Sequence, residues 1–355
     1  MWNAGNEVKA GETKGERLAH YHFNDLYIST DRTVTPIARR LVLTGVDQRV
    51  MNGVHPVPRA VLPDLEGLRK AIHEASMERG YFEREVQIVY DDVAYRGALI
   101  AEPDAPGTNP YEAQAPEFQN WCLRRIGNTP PKLSDLKLPN FLYKVLKESV
   151  TNRGLVLISG SFGSGKTTTS AACLQTWVED ANEVGITLED PPEFPLAVPE
   201  GKGMIYQINV SDRDPSDAIK HMRRHAPRFV FLGEIRTPET ARELLHMSAS
   251  GPLVLCTIHA ADPIQALTSL ILFASSVMEP DMARQLAARC VSLIVHQEMS
   301  NGIVQAKLLE IKDDDFGIQS KIRTGRYDLI YEDFETQRIR RNNPGGFSSM
   351  GKAKR

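Results

Sequence analysis

One stretch constrains this chain more than any other: Gly160-Ser161-Phe162-Gly163-Ser164-Gly165-Lys166-Thr167-Thr168, directly after the apolar run Leu155-Val156-Leu157-Ile158. A buried strand that leaves through a glycine-rich turn and enters a helix at Lys-Thr is a phosphate-binding loop. Glycine lets the backbone turn inward, so the amides of residues 163–166 point at phosphate oxygens while Lys166 neutralises the β/γ charge and Thr167 holds Mg²⁺. ATP or GTP is therefore the expected ligand, contacted by Gly160, Gly163, Ser164, Gly165, Lys166, Thr167 and Thr168. A glycine-rich turn matching by accident would have no reason to carry the strand before it or the Lys-Thr pair and helix after it.

With 355 residues the chain is long enough for two packed domains. Its 42 basic against 45 acidic side chains leave a formal net charge of −3, which argues against a whole-protein nucleic-acid binder. Cys122, Cys173, Cys256 and Cys290 are far apart with no Cys-x-x-Cys pair. Neither a zinc site nor a disulfide framework is expected, and a reducing, cytoplasmic setting fits best. No apolar run approaches the roughly 18 residues that span a bilayer, and the polar start has no signal segment, so membrane association is expected to be peripheral.

Composition and periodicity divide the chain into a polar arm over 1–19, an α+β domain over 20–128, a proline-stiffened linker over 129–138, an α/β domain over 139–335 and a mobile basic tail over 336–355. In the first domain Phe23, Leu26 and Ile28 suggest a strand. Pro63-Asp64 opens an amphipathic helix with Leu65, Leu68, Ile72, Ala75 and Met77 near one face and Gly80 as its stop. Runs at Val86–Tyr90, Val93–Ile100 and Trp121–Ile126 read as strands, the last carrying Arg124 and Arg125, with a loop over 103–116. In the second domain a helix is expected from Pro139 to Val150. Strand-like runs then recur at Leu155, Val184, Phe229, Leu253 and Val291 between helical patterns, the layout of a mainly parallel sheet with helices on both faces. Thr237 as N-cap, Pro238 at the first position and Glu239 in the first turn mark one helix start clearly.

Three further strands bring polar groups toward the loop. Phe229-Val230-Phe231-Leu232 ends in Gly233-Glu234, which places a carboxylate where it can orient and partly deprotonate an attacking water. Alone, Glu234 reads equally well as a strand-end cap for the Thr237 helix. Glu189-Asp190-Pro191-Pro192-Glu193 follows Ile186-Thr187-Leu188, and Leu253–Thr257 leads to His259, a residue type that after a strand is more often a cap or a core group than a reactive one.

In order and density these segments closely resemble the secretion-ATPase superfamily of pilus-retraction, type II and type IV secretion motors. Gly160–Thr168 is similar to its Walker A box, Ile186–Phe194 to its Asp box, Arg228–Arg236 to its Walker B box and Thr257-Ile258-His259 to its His box, within a resemblance running from about Tyr95 to Tyr331. Thr129-Pro130-Pro131-Lys132-Leu133-Ser134 and Met222–Arg228 are similar to the type IVB branch, the Dot/Icm and plasmid-transfer ATPases. The resemblance implies a RecA-like motor domain behind a PAS-like amino-terminal domain. It implies a homohexamer hydrolysing ATP with Mg²⁺ at the inner membrane, recruited by secretion or conjugation machinery and touching DNA or protein cargo only indirectly. It further implies Glu234 as the catalytic acid/base, Glu189 as an auxiliary water or metal ligand, His259 as a γ-phosphate sensor, and Thr167, Glu189 and Glu234 around the metal. Arg96, Arg124 and Arg125 match the arginines that reach the phosphates, with Arg124 ranked first. Arg223, Arg224 and Arg236 either serve similarly or pair with the Asp-box acids.

Gly233 stands where an ordinary Walker B pair has aspartate, as this superfamily usually does, and the paired cysteines of the type II zinc insert are missing. Two other classes stay open: an ATP-gated ring scaffold, and a RecA-like nucleic-acid translocase, which should line its pore with basic and aromatic residues. An ABC-type ATPase is disfavoured because no Leu-Ser-Gly-Gly-Gln-like signature lies between the loop and Glu234.

Overall fold

The computed structural model describes residues 17–18, 21–23, 25–43, 50–78, 85–100, 119–126, 132–211, 214–300 and 303–342. The chain divides into two units, residues 1–128 and 129–355.

The first unit carries β1 (Tyr21–His22), β2 (Asp25–Ser29), β3 (Ile37–Leu43), β4 (Val50–Pro56), α1 (Leu62–Met77), β5 (Glu85–Tyr90), β6 (Val93–Leu99) and β7 (Asn120–Ile126). They form an antiparallel sheet in the order β1-β3-β2-β7-β6-β5, with β4 also paired to β3. Asp91 and Asp92 close the β5–β6 hairpin at φ of 50° and 60°, the left-handed pair a two-residue turn demands and short polar side chains tolerate. Helix α1 turns Leu65, Leu68, Ile72 and Ser76 inward, toward a core that includes Leu26, Tyr95, Trp121 and Leu123. That stripe keeps the 3.6-residue period through Ser76; Met77, expected on it, lies one step around the helix and is exposed. The arm expected over 1–19 gives way before its end, because Leu18 is buried and its N–H donates to Asp64 Oδ2 at 2.7 Å. Gly80, the loop over 103–116 and residues 129–131 of the linker lie outside the described residues.

The second unit runs α2 (Asn140–Glu148), β8 (Gly154–Ser159), α3 (Lys166–Ala181), β9 (Val184–Glu189), β10 (Met204–Asn209), α4 (Pro215–Met222), β11 (Phe229–Leu232), α5 (Pro238–Ala249), β12 (Leu253–Ile258), α6 (Pro263–Ser275), α7 (Pro280–Cys290), β13 (Val291–Ser300), β14 (Ile303–Glu310), α8 (Phe316–Arg323) and α9 (Ile330–Asn342). Its sheet order is β10-β9-β11-β12-β8-β13-β14. The first six are parallel neighbours and β14 is antiparallel to β13. Alternation along β8 sends Leu155 and Leu157 into the core shared with α4 to α9. Val156 and Ile158 go into the core shared with α2 and α3. A strand covered on both faces needs apolar side chains at every position, which is why β8, β11 and β12 read as unbroken apolar runs.

Two boundaries differ from the sequence expectation. Leu133, assigned to the linker, is buried in the α2–α3 core. The basic tail expected from residue 336 is helical through Asn342. There Gln337 accepts from Glu310 N and donates to Glu310 O, and Arg341 Nη1 donates to Leu308 O at 3.0 Å, so α9 is tied to the edge strand β14. Residues 343–355 lie outside the described set. Trp177 joins the two helices of its layer: it is fully buried and its Nε1 donates to Leu146 O at 2.7 Å. Trp177→Ala is expected to destabilise the protein by about 3–5 kcal/mol, read from chemical denaturation.

Candidate functional site

Parallel pairing of β9, β11, β12 and β8 brings their carboxyl ends to one edge of the sheet, the place where open α/β sheets bind ligands. From β8 the backbone enters the glycine-rich turn. Gly160, Gly163 and Gly165 sit at φ of 149°, 72° and 85°, which an L side chain rarely adopts. At Gly160 space forbids a side chain as well, because a Cβ would stand 2.1 Å from Gln297 O; at Gly163 a Cβ would meet nothing within 4 Å. The turn is therefore packed against β13 at its start and open at its middle, which suits a cradle. Gln297, on β13, braces it from below by donating Nε2 to Ser164 O at 2.6 Å.

Lys166 opens α3 with Thr167 and Thr168 half-buried in the same turn. Its Nζ donates to Gly160 O and Ser161 O, both at 2.9 Å. The ammonium is largely buried, and burial holds its pKa below the usual lysine range, against the opposing charges of Glu234 and Glu193. A cation held by two carbonyls in a poorly solvated place lacks a full counter-charge, and anionic phosphate oxygens would supply it.

Glu234 follows β11 and His259 follows β12. His259 Nε2 lies 2.9 Å from Glu234 Oε1, and Arg236 Nε donates to Glu234 Oε2 at 3.1 Å. Arg236 also donates to Asp190 Oδ2 at 2.7 Å, so it pairs with an Asp-box acid, the second of its two expected roles. Thr237 accepts from Thr240 N as the α5 cap, which leaves Glu234 free of the capping task. A cavity of about 480 Å³ opens beside the loop, lined by Gly160, Ser161, His259, Ala260, Ala261, His296 and Glu298.

Glu189 ends β9 and is 4% exposed. Burial raises its pKa, while the hydrogen bond from Gln207 pulls the other way. Gln207 on β10 uses its whole amide here: Nε2 donates to Glu189 Oε1 and to Phe194 O, and Oε1 accepts from Leu196 N. A carboxyl whose folded pKa exceeds the unfolded one binds more protons in the native state, so its charge opposes folding above that folded pKa and the penalty fades as pH falls through it. Glu189→Gln is therefore expected to raise the melting temperature of the metal-free protein at neutral pH, with the gain shrinking on acidification.

The remaining arginines fall elsewhere. Arg223 pairs with the buried carboxylate of Glu243, which Arg242 also meets at 3.1 Å, and Arg224 is exposed on the same turn. Arg223, expected to contact nucleotide or to pair with the Asp-box acids, is here paired with a buried carboxylate on α5. In the first unit Arg96 and Arg124 are cross-strand partners on β6 and β7. Arg96 reaches Glu85 at 3.5 Å and Arg124 reaches Asp25 at 3.1 Å. Arg125 stands opposite Tyr95, so strand alternation turns it to the other face from Arg124. The sequence reading missed Gln207 and Gln297. The second had a visible signal, since His296-Gln297 interrupts an apolar strand.

ATP with Mg²⁺ fits this donor set. The loop is open at Gly163, the Lys166 ammonium is held only by neutral carbonyls at hydrogen-bond distance among the described residues, and Thr167 stands in the first turn of α3. Among the described residues no three His, Cys, Asp or Glu side chains gather as a metal cage. A magnesium ion would thus be held by Thr167, phosphate oxygens and water, its usual mode beside a nucleotide.

A profile for the family described as Type II/IV secretion system protein matches residues 123–319. The type IV pilus ATPase PilU of Pseudomonas aeruginosa is 34% identical over 154 residues, covering 42% of this chain and 39% of PilU. The chain thus spans about two fifths of that relative's length. Among solved structures the fold is similar to the Legionella pneumophila ATPase DotB, with TM-score 0.62 and 19% identity over 87% of this chain and 84% of that one. It is also similar to the pilus retraction motor PilT with bound ADP, with TM-score 0.64 and 21% identity over 88% and 86%.

Proposed function

The chain belongs to the type II/IV secretion system protein family, and from that premise we propose that it is an ATPase whose hydrolysis cycle drives a membrane-bound secretion or transfer machine. The observation that carries the proposal is the meeting, on one sheet edge, of a buried Lys166 in a glycine cradle with Glu234 held by His259 at 2.9 Å. Loop amides and Lys166 bind the β- and γ-phosphates, and Thr167 completes the metal shell. Magnesium, when bound, supplies charge neutralisation on the transferred phosphoryl group. Glu234 orients and deprotonates the attacking water. Both its oxygens are engaged by His259 and Arg236, yet a carboxylate offers about four acceptor sites, so a water is still accepted. His259 bridges that carboxylate to the phosphate side, and Glu189 stands as the second acid. Arg124 is the arginine we assign to the charge of the transferred group, and Arg124→Ala checks it.

We further assign the protein to the type IVB-like, plasmid-transfer branch, working as a cytoplasmic homohexamer recruited to the inner membrane by partner proteins. Support comes from the Thr129–Ser134 and Met222–Arg228 segments. Among the described residues no helix is long and apolar enough to cross a membrane. Replacement of the native gene by Glu234→Gln and Lys166→Ala alleles tests the motor reading. Loss of transfer in both supports it, whereas transfer retained with Glu234→Gln and lost with Lys166→Ala would make the protein a nucleotide-gated scaffold.

A further inference from the structure

Phe162 is an unusual residue at the tip of a phosphate loop. It is 82% exposed, so burial of the ring does not explain its place. Its ring instead lies 4.0 Å from the His259 imidazole, centroid to centroid, with the planes 35° apart. Lys166 Nζ stands 6.0 Å from the same ring. On its far side His259 presents Nε2 to Glu234 Oε1 at 2.9 Å, and Glu234 continues to Arg236 and Asp190. A continuous row of side chains therefore runs from the loop tip to the carboxylate, and its first link is an aromatic pair.

We propose that Phe162 is the positioning residue for His259: the loop tip, by stacking on the imidazole, fixes the ring orientation in which Nε2 faces Glu234. The inference rests on the ATPase reading above for its consequence, and on geometry alone for the stack. A part-exposed imidazole whose polar neighbour is a single carboxylate 2.9 Å away is free to turn about its χ angles; a stacked neighbour removes that freedom and biases the ring by about two- to twelvefold. Because Phe162 sits between Ser161 and Gly163, any shift of the loop tip on taking up phosphates moves the ring, and with it the grip on His259. Phosphate occupancy would then reach Glu234 through packing rather than through a charge alone.

The test pairs an NMR measurement on nucleotide-free protein with steady-state kinetics, for wild type, Phe162→Leu, Phe162→Tyr and His259→Ala. Ring-current shifts on the His259 protons should be present in wild type and Phe162→Tyr and absent in Phe162→Leu. In kinetics, Phe162→Leu should lower kcat by about fivefold or more with KM for ATP nearly unchanged. Phe162→Tyr should restore kcat, and adding Phe162→Leu to His259→Ala should cost nothing further, as expected of residues acting in one row. A wild type with shifted His259 resonances but no turnover would remove the ATPase reading and leave the stack in place. Unshifted resonances, or kcat unchanged in Phe162→Leu, would overturn the proposal.

Discussion

Glu234→Gln is expected to bind ATP as wild type does and to lose hydrolysis by about 10²- to 10⁴-fold. The amide keeps the size of the carboxylate and one acceptor oxygen, so the His259 and Arg236 sides of the site lose little packing. What it cannot do is take a proton from water. A loss confined to kcat, with nucleotide affinity preserved in equilibrium binding, is the signature of an interaction made in the transition state rather than in the ground state. Turnover at wild-type rate in the glutamine variant would take Glu234 out of the chemistry and return it to the role of a structural partner for Arg236.

Lys166→Ala should act on the other parameter. A charge-assisted bond to the β/γ oxygens is worth enough that its removal weakens ATP binding about ten- to a hundredfold, measurable by titration with a fluorescent nucleotide. The same substitution should leave the nucleotide-free protein at least as stable as wild type. In that state the buried ammonium has two carbonyls for company, and burial already pushes its pKa down. With folded pKa below the unfolded value, the lysine holds fewer protons in the native state, so wild-type stability rises with pH between the folded and unfolded pKa values and the variant lacks that rise. Weak binding together with a stable fold separates a lost phosphate contact from a damaged protein.

How much of this was legible in the residues depends on what each position needs. Strands β8, β9, β11 and β12 were readable because burial on both faces writes apolar side chains at nearly every position, and the loop because only glycine meets its φ angles and its 2.1 Å approach to β13. Strands β10 and β14 escaped because they are edges: Met204-Ile205-Tyr206-Gln207 and Ile303-Val304-Gln305-Ala306 alternate in burial and do not stand out from the surrounding loops. Strands β3 and β4 were missed as well; β4 contains Gly53 and ends on Pro56, residues that read as breakers from sequence alone.

The site divides the same way. Lys166, Glu234 and His259 were named because each ends or follows a strand of the same sheet, and parallel order alone brings such positions together. The pairing of Arg223 was not visible because its partner, Glu243, lies 20 residues away on α5 and only the fold brings it near. Gln297 bonds across 133 residues and Phe162 stacks across 97 by number, and no local pattern announces either contact. Arg124 and Arg125 look equivalent as a pair, and strand alternation alone separates their faces.

The central claim is that the edge formed by the phosphate loop, Glu234 and His259 hydrolyses ATP in an assembly of copies. The most direct check is Mg²⁺-dependent phosphate release across protein concentrations, with light scattering on the same samples for particle mass. Turnover per protomer that rises as mass climbs to that of a hexamer, and vanishes in Glu234→Gln at equal mass, is the expected result. Bound nucleotide with no phosphate release at any mass, or release unaffected by the glutamine substitution, would contradict it.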